Sequence, residues 1–311
     1  MNDLGQDPGV LEVESAGAVS VTLKATGQSP LAHTSRITLF RNSPRIDIRN
    51  EITEGFDGTH TWGFTFNLKS PDVRHEEVGA IVRAKLLADG GNYAPTMSRL
   101  EWLTLNHFAD MSGECGAGVT LSNMDLAFMK LGNSSIHNSI STLDTATPQI
   151  QVLAGGQIDA PQAGIAKQGG DTHFLQRFAL RTHGGFDAAA AMRFSLEHQN
   201  PPITAWLGRG AGLPGNSFSL ITNSNSKVLL WALKPAEDGP QGNLIARFWN
   251  LSSEAQDVPF VLTGGLVRAT RTTHIETDLE PLALRFGQPV LHMTPTQIQT
   301  VRLIPAGGKR L

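Results

Sequence analysis

Residues 61–68 read Thr61-Trp-Gly-Phe-Thr-Phe-Asn-Leu68. Trp62, Phe64, Phe66 and Leu68 alternate with Thr61, Gly63, Thr65 and Asn67. Successive side chains of an extended chain point to opposite faces, so this stretch predicts a strand with one packed face and one small or polar face. The same period of two recurs at 36–40, 45–49, 118–122, 172–181 and 298–304. Residues 228–233 and 244–249 are apolar on both faces and predict interior strands of stacked sheets. Turn signals such as Asn42-Ser43-Pro44, Ser70-Pro71-Asp72 and Asp89-Gly90-Gly91-Asn92 separate the runs. Many short strands with this punctuation predict an all-β sandwich or barrel rather than alternating β-α units.

One segment departs from the pattern. Asp187 to Glu197 is rich in helix formers, has Asp187 placed to cap, and is followed by Pro201-Pro202, which predicts one short helix. Gly208 to Gly215 then holds four glycines and a proline in eight residues and reads as a linker or long surface loop. The expected organisation is a large β unit over residues 1–207 and a smaller one over 216–305, with a frayed end at Ala306–Leu311.

Composition narrows the function. The chain has 311 residues, 40% hydrophobic and 17% charged, enough to bury a core beneath a lightly charged surface. Its net charge of −3 is scattered and offers no basic stripe for a nucleic acid. The longest apolar runs are too short to cross a membrane as a helix, and no charged-then-apolar leader opens the chain. Cys115 is the single cysteine, which excludes an internal disulfide framework and a multi-cysteine zinc site. The expectation is a soluble, cytoplasmic protein.

No complete catalytic constellation is visible. Gly208-x-Gly210-x-Gly212 has the wrong spacing for a phosphate loop. His75-Glu76-Glu77 lacks the second histidine of a metalloprotease helix, because position 79 is glycine. Asp171-x-His173 puts two ligand types on one strand face without companions. Cys115 sits in a glycine-rich turn and reads as a small buried thiol. Glu101, Asp110 and Asp125 are near one another in sequence, but a pair of glycosidase carboxylates is a spatial feature that spacing does not reveal. Trp62, Trp102, Trp231 and Trp249 lie within strand patterns and read as core, whereas Trp206 and Tyr93 have loop-like surroundings that suit a sugar platform.

Several segments, in order, resemble one family. Ser43-Pro-Arg-Ile-Asp-Ile-Arg-Asn50 and Glu77-Val-Gly-Ala-Ile-Val-Arg83 are similar to strands in the C-terminal region of glycoside hydrolase family 38, the α-mannosidases. His107-Phe-Ala-Asp-Met-Ser112 with Gly118-Val-Thr-Leu-Ser-Asn123 resembles a hairpin of that region, and Thr172 to His183 resembles a further strand. Leu229 to Gly239, then Leu244-Ile-Ala-Arg-Phe-Trp-Asn250, continue the likeness, which runs from about residue 10 to residue 304.

The resemblance implies a galactose-mutarotase-like supersandwich followed by a smaller C-terminal β-sandwich. It implies a non-catalytic region that shapes the cleft for α-mannoside glycans and supports an N-terminal catalytic domain or subunit. The family's zinc and catalytic carboxylates belong to that domain, so neither a cofactor nor a catalytic residue is carried onto this chain. Tyr93, in Gly91-Asn-Tyr-Ala-Pro95, resembles a segment near the family's sugar site, and Arg247 matches a recurrent arginine; both are candidate substrate-binding residues. For Arg247 the alternative is a salt bridge joining the two β units. Residues 10–24 resemble a strand already inside the supersandwich, which implies a fragment or a trimmed fold. Its open sheet edge would favour a homodimer or aggregation. Two other functions stay open: a stand-alone carbohydrate- or partner-binding module, and a sugar epimerase using His107 or His173 as acid.

Overall fold

The alternating stretch around Trp62 begins with the strand His60–Thr65 in the computed structural model. The structure describes residues 9–306 apart from 97, 138–139, 156–165, 207–216, 239–242 and 287. Trp62, Phe64, Phe66 and Leu68 all pack against one core, while Gly63, Thr65 and Asn67 are exposed, as the period of two requires. The strand pairs with Gln149–Gly155, which pairs with Phe128–Leu131 and then Leu103–Thr104, in a four-stranded antiparallel sheet.

Against this sheet lies a nine-stranded antiparallel one. Its order is Val10–Ala16, Ser20–Gly27, His33–Phe40, Arg45–Ile52, Phe174–His183, Gly118–Asn123, Phe108–Ser112, Asp72–Glu77 and Ala80–Arg83. Met111, Leu121 and Phe178 from the larger sheet meet Leu103, Met129 and Ile150 from the smaller, all at 2% exposure or less. Each such side chain contributes about 1.5–3 kcal/mol on leaving water. The larger sheet overshoots the smaller. Val10–Ala16 is exposed along its whole length, and the described residues place no strand beyond it.

The helix spans Ala188–Gln199, as the composition of that stretch predicts, and stops before Pro201-Pro202. It is the only α-helix among the described residues, and none is long and apolar enough to cross a membrane. His198 Nδ1 lies 2.9 Å from Ser122 Oγ, and Gln199 Nε2 donates to the Asn106 carbonyl at 3.0 Å, tying the helix to the larger sheet.

The chain divides into two compact units. The first runs through Asp187 and includes Ala191–Pro202; the second comprises Ala188–Ala190 and the chain from Ile203 onward. The glycine-rich stretch 208–215 and the last residues, 307–311, lie outside the described residues. In the second unit a five-stranded sheet, ordered Val228–Pro235, Leu244–Asn250, Ile298–Pro305, Leu266–Thr272 and Asp278–Pro281, accompanies a four-stranded one. Its core includes Val228, Phe248, Phe260, Leu291, Val301 and Leu303. The architecture is therefore all-β, a supersandwich and a smaller sandwich with one short helix. One expectation needs correcting: Val228–Pro235 is an edge strand, not an interior one. An apolar pattern on both faces reports burial above and below a strand and says nothing about its lateral neighbours.

Candidate functional site

The exposed face of the four-stranded sheet carries the polar half of each alternating strand. Register sets Gly63 opposite Gln151 and Thr65 opposite Gln149, and Gln151 is in turn opposite Lys130. Lys130, Gln149, Gln151 and Trp102 thereby line a cleft of about 970 Å³, which the inward-turned Trp62 borders together with His33 and His60. Every lining residue belongs to the first unit. Trp62 is held in place, because its Nε1 donates to Gln176 Oε1 at 2.6 Å and the buried Gln176 donates on to the Ala154 carbonyl. The His33 ring meets Trp62 edge-on, with centroids 6.0 Å apart. Gln151 Nε2 donates to the Gly132 carbonyl at 2.8 Å and to Gln149 Oε1 at 2.9 Å, so the floor of the cleft is a braced amide row.

Tyr93 lies elsewhere, in a cluster built on the strand Asp72–Glu77. Gly91 lets the chain pass close to the neighbouring backbone, since a Cβ there would fall 2.0 Å from the Lys85 carbonyl oxygen. The next residues follow that path, and Tyr93 N–H donates to the same carbonyl. The Tyr93 hydroxyl sits 2.9 Å from His75 Nε2 and donates to Glu77 Oε2 at 3.3 Å, while Thr104 Oγ1 donates to the other Glu77 oxygen. Burial, reinforced by the Glu77 charge, pushes the Tyr93 hydroxyl well above its ordinary pKa. Burial pushes the His75 imidazole down, so both groups are neutral near pH 7. The arrangement holds Glu77 in place. On the opposite strand face, Glu76 accepts from Gly79 N–H at 2.6 Å and lies 2.7 Å from His107 Nδ1.

The other candidates separate. Arg247 lies in the second unit, where its Nη2 donates to the His274 carbonyl at 3.0 Å; its Nε is buried with no partner among the described residues. Glu101 is paired with Arg99, and Asp125 with Arg177. Asp110 is fully buried and accepts from Thr120 Oγ1 and Ser112 Oγ, with His183 Nε2 at 2.6 Å. That contact raises the His183 pKa. The three carboxylates thus serve three different networks. Cys115 is exposed rather than buried, because it occupies the tip of the hairpin joining Phe108–Ser112 to Gly118–Asn123. Trp249 is core, whereas Trp62 and Trp102 are only half-buried and border the cleft, and Trp206 is 96% exposed. Among the described residues no three His, Cys, Asp or Glu side chains converge to hold a metal.

A two-unit β protein with a polar, indole-lined cleft is the class that the fold defines. Residues 227–301, within the second unit, match the family model described as "Glycosyl hydrolases family 38 C-terminal beta sandwich domain". Two solved structures share the fold along nearly the whole chain. An alpha-mannosidase from Enterococcus faecalis V583 aligns at 14% identity and a TM-score of 0.70, covering 96% of this chain and 35% of its own. A protein in the glycosyl hydrolase family 38 from Enterococcus faecalis aligns at 14% identity and 0.71, covering 96% and 36%. This chain spans about a third of the length of those proteins. No curated protein matches the sequence. The resemblance read from the motifs and the family named by the model are the same.

Reading the sequence overlooked Lys130, Gln149 and Gln151. Each stands on the polar side of an ordinary strand, and only pairing across the sheet gathers them. The one local signal was Gly63, a small residue interrupting a strand with nothing to pack there.

Proposed function

We propose that this chain is the non-catalytic C-terminal β region of an α-mannosidase-like glycoside hydrolase. In this reading it shapes the cleft for α-mannoside glycans and supports a zinc-dependent catalytic domain carried on another segment or subunit. The observation that carries it is the conjunction of a family 38 match at 227–301 with a fold that fills 96% of this chain but only 35% of an alpha-mannosidase. Tyr93 and Arg247 are the proposed glycan contacts, Tyr93 through the ring that His75 and Glu77 hold and Arg247 through the guanidinium that the His274 carbonyl orients. The reading places the protein in the cytoplasm, where an exposed lone thiol such as Cys115 stays reduced. The edge strand Val10–Ala16 supports pairing with a second copy.

The test is an aryl α-mannoside assay on the purified chain, with zinc and with chelator, alone and mixed with a family 38 catalytic domain lacking its own β region. The chain alone turns nothing over, and the mixture is more active or melts higher than the catalytic domain by itself. Zinc-dependent turnover by the chain alone would overturn the reading. A stand-alone carbohydrate-binding module is the second reading, favoured by the Trp102 indole in the cleft. Calorimetric binding of mannose-containing glycans, with no gain for the catalytic domain on mixing, would select it.

A further inference from the structure

The donors and acceptors in the cleft are unevenly used. Gln149 Oε1 accepts from Gln151, and Gln151 Oε1 accepts from Thr61 Oγ1 at a long 3.5 Å. Gln149 Nε2 spends one of its two hydrogens on Thr65 Oγ1 at 3.0 Å and keeps the other. The Thr65 hydroxyl accepts that bond and keeps its own proton to donate. Lys130 is half-buried, and no carboxylate partner of its ammonium is seen among the described residues. What the cleft offers to an occupant is therefore a set of donors with one fixed positive charge.

Among the described residues no aspartate or glutamate lines the cleft, although acidic residues outnumber basic ones by 28 to 25 in the whole chain. Trp102 supplies an apolar face on which a pyranose ring stacks, while Trp62, turned inward and locked by the buried Gln176, closes the end of the cleft. Gly63 leaves the floor open between them: a Cβ there would meet only Gln149 Nε2, at 3.9 Å.

We propose that this cleft binds a short oligosaccharide bearing an anionic substituent, with the sugar ring stacked on Trp102 and the anion held by Lys130 and the Gln149 amide. The proposal deepens the carbohydrate-directed reading above and rests on it for the ligand class. The charge preference stands on the lining alone. Lys130 and Gln149 carry the selectivity, Trp102 carries the affinity, and Gly63 keeps the space.

The test is calorimetric titration of the whole 311-residue chain with three probes: a neutral mannotriose, an oligomannuronate of the same length, and inorganic phosphate. Oligomannuronate binds about tenfold more tightly than mannotriose, and phosphate binds too weakly to register. Lys130→Ala removes the tenfold difference, because oligomannuronate affinity falls to the level of mannotriose affinity. Gly63→Val fits an exposed strand position and fills the cleft, so it abolishes both sugar affinities while the melting temperature stays within a few degrees. Equal affinity for the two sugars overturns the anionic assignment and leaves a neutral glycan site. Phosphate matching the oligomannuronate overturns the sugar assignment and leaves a bare anion site. No binding by any probe overturns the cleft proposal altogether. The accessory-region reading then still stands or falls on the catalytic-domain mixing assay, which does not depend on the cleft.

Discussion

The two β units solve the same packing problem with different margins. The second closes Phe248 and Phe260, with ring centroids 4.9 Å apart, into a core between sheets of five and four strands. The first sets nine strands against four, so among the described residues its larger sheet extends beyond the smaller one. Three consequences stay in the first unit: an exposed edge strand, a cleft on the outside of the smaller sheet, and buried polar pairs such as Asp110 with His183. The second places its main ionic cluster near water instead. Arg302 reaches Asp238 and Asp278, whose side chains are 61% and 53% exposed. The smaller unit is also the part whose sequence still matches a family model. A sheet larger than its partner must accommodate polar groups at its margins, and those margins are where a ligand can enter.

The sharpest way to break this comparison is to empty each core in turn. Phe248→Ala and Phe178→Ala, both at fully buried positions, each cost about 3–5 kcal/mol. Differential scanning calorimetry of the whole chain shows Phe248→Ala lowering one transition and Phe178→Ala the other. A single transition moved by both would mean that the two units melt as one. The ionic contrast comes next. Asp110→Ala leaves His183 and Thr120 without their shared acceptor and costs about 3 kcal/mol, by the cost of breaking a buried pair. Arg302→Ala leaves the exposed Asp238 and Asp278 to water but deprives the Glu276 carbonyl of a buried donor, and costs about 1–3 kcal/mol. Urea midpoints for the two variants decide whether burial separates them.

A pH titration tests the same asymmetry more gently. Burial, with Arg45 nearby, pulls the His198 pKa from 6.5 to about 4. Between those values the unfolded chain holds a proton that the folded chain refuses, so stability falls as the pH falls from 6.5 to 4. The slope is up to about 1.4 kcal/mol per pH unit. His198→Gln flattens that slope in melts of the first unit. Equal slopes in the two proteins would remove His198 as the cause. The smallest effect lies in the turn beside Glu76. Val78 has φ of 43° and Gly79 has φ of 87°, a two-residue hairpin in which a β-branched residue is poorly placed. Val78→Asn raises stability by about 1 kcal/mol, read as a higher melting temperature.

Most of the fold was legible locally. Period-two runs located the strands Arg45–Ile52, Gly118–Asn123, Phe174–His183 and Ile298–Pro305 to within a few residues, because face alternation is a property of the extended backbone. The helix at Ala188–Gln199 was readable from its alanines and the prolines beyond it. Ordered motifs pointed to family 38, and the match at 227–301 names the same family. The edge position of Val228–Pro235 was not legible, since lateral pairing leaves no trace in a strand's own pattern.

The sequence by itself determined an all-β chain, one helix and a family resemblance, since each rests on spacing within a few residues or on ordered local motifs. Only the tertiary structure decided the cleft. Trp62 depends on Gln176, 114 residues away, and Thr61 meets Gln151 across 90. Asp110 is tied to His183 across 73. Packing of one sheet on the other sets the first encounter, and antiparallel register sets the other two. A strand's own residues say which face turns inward, and its distant neighbour in the sheet says what that face will meet.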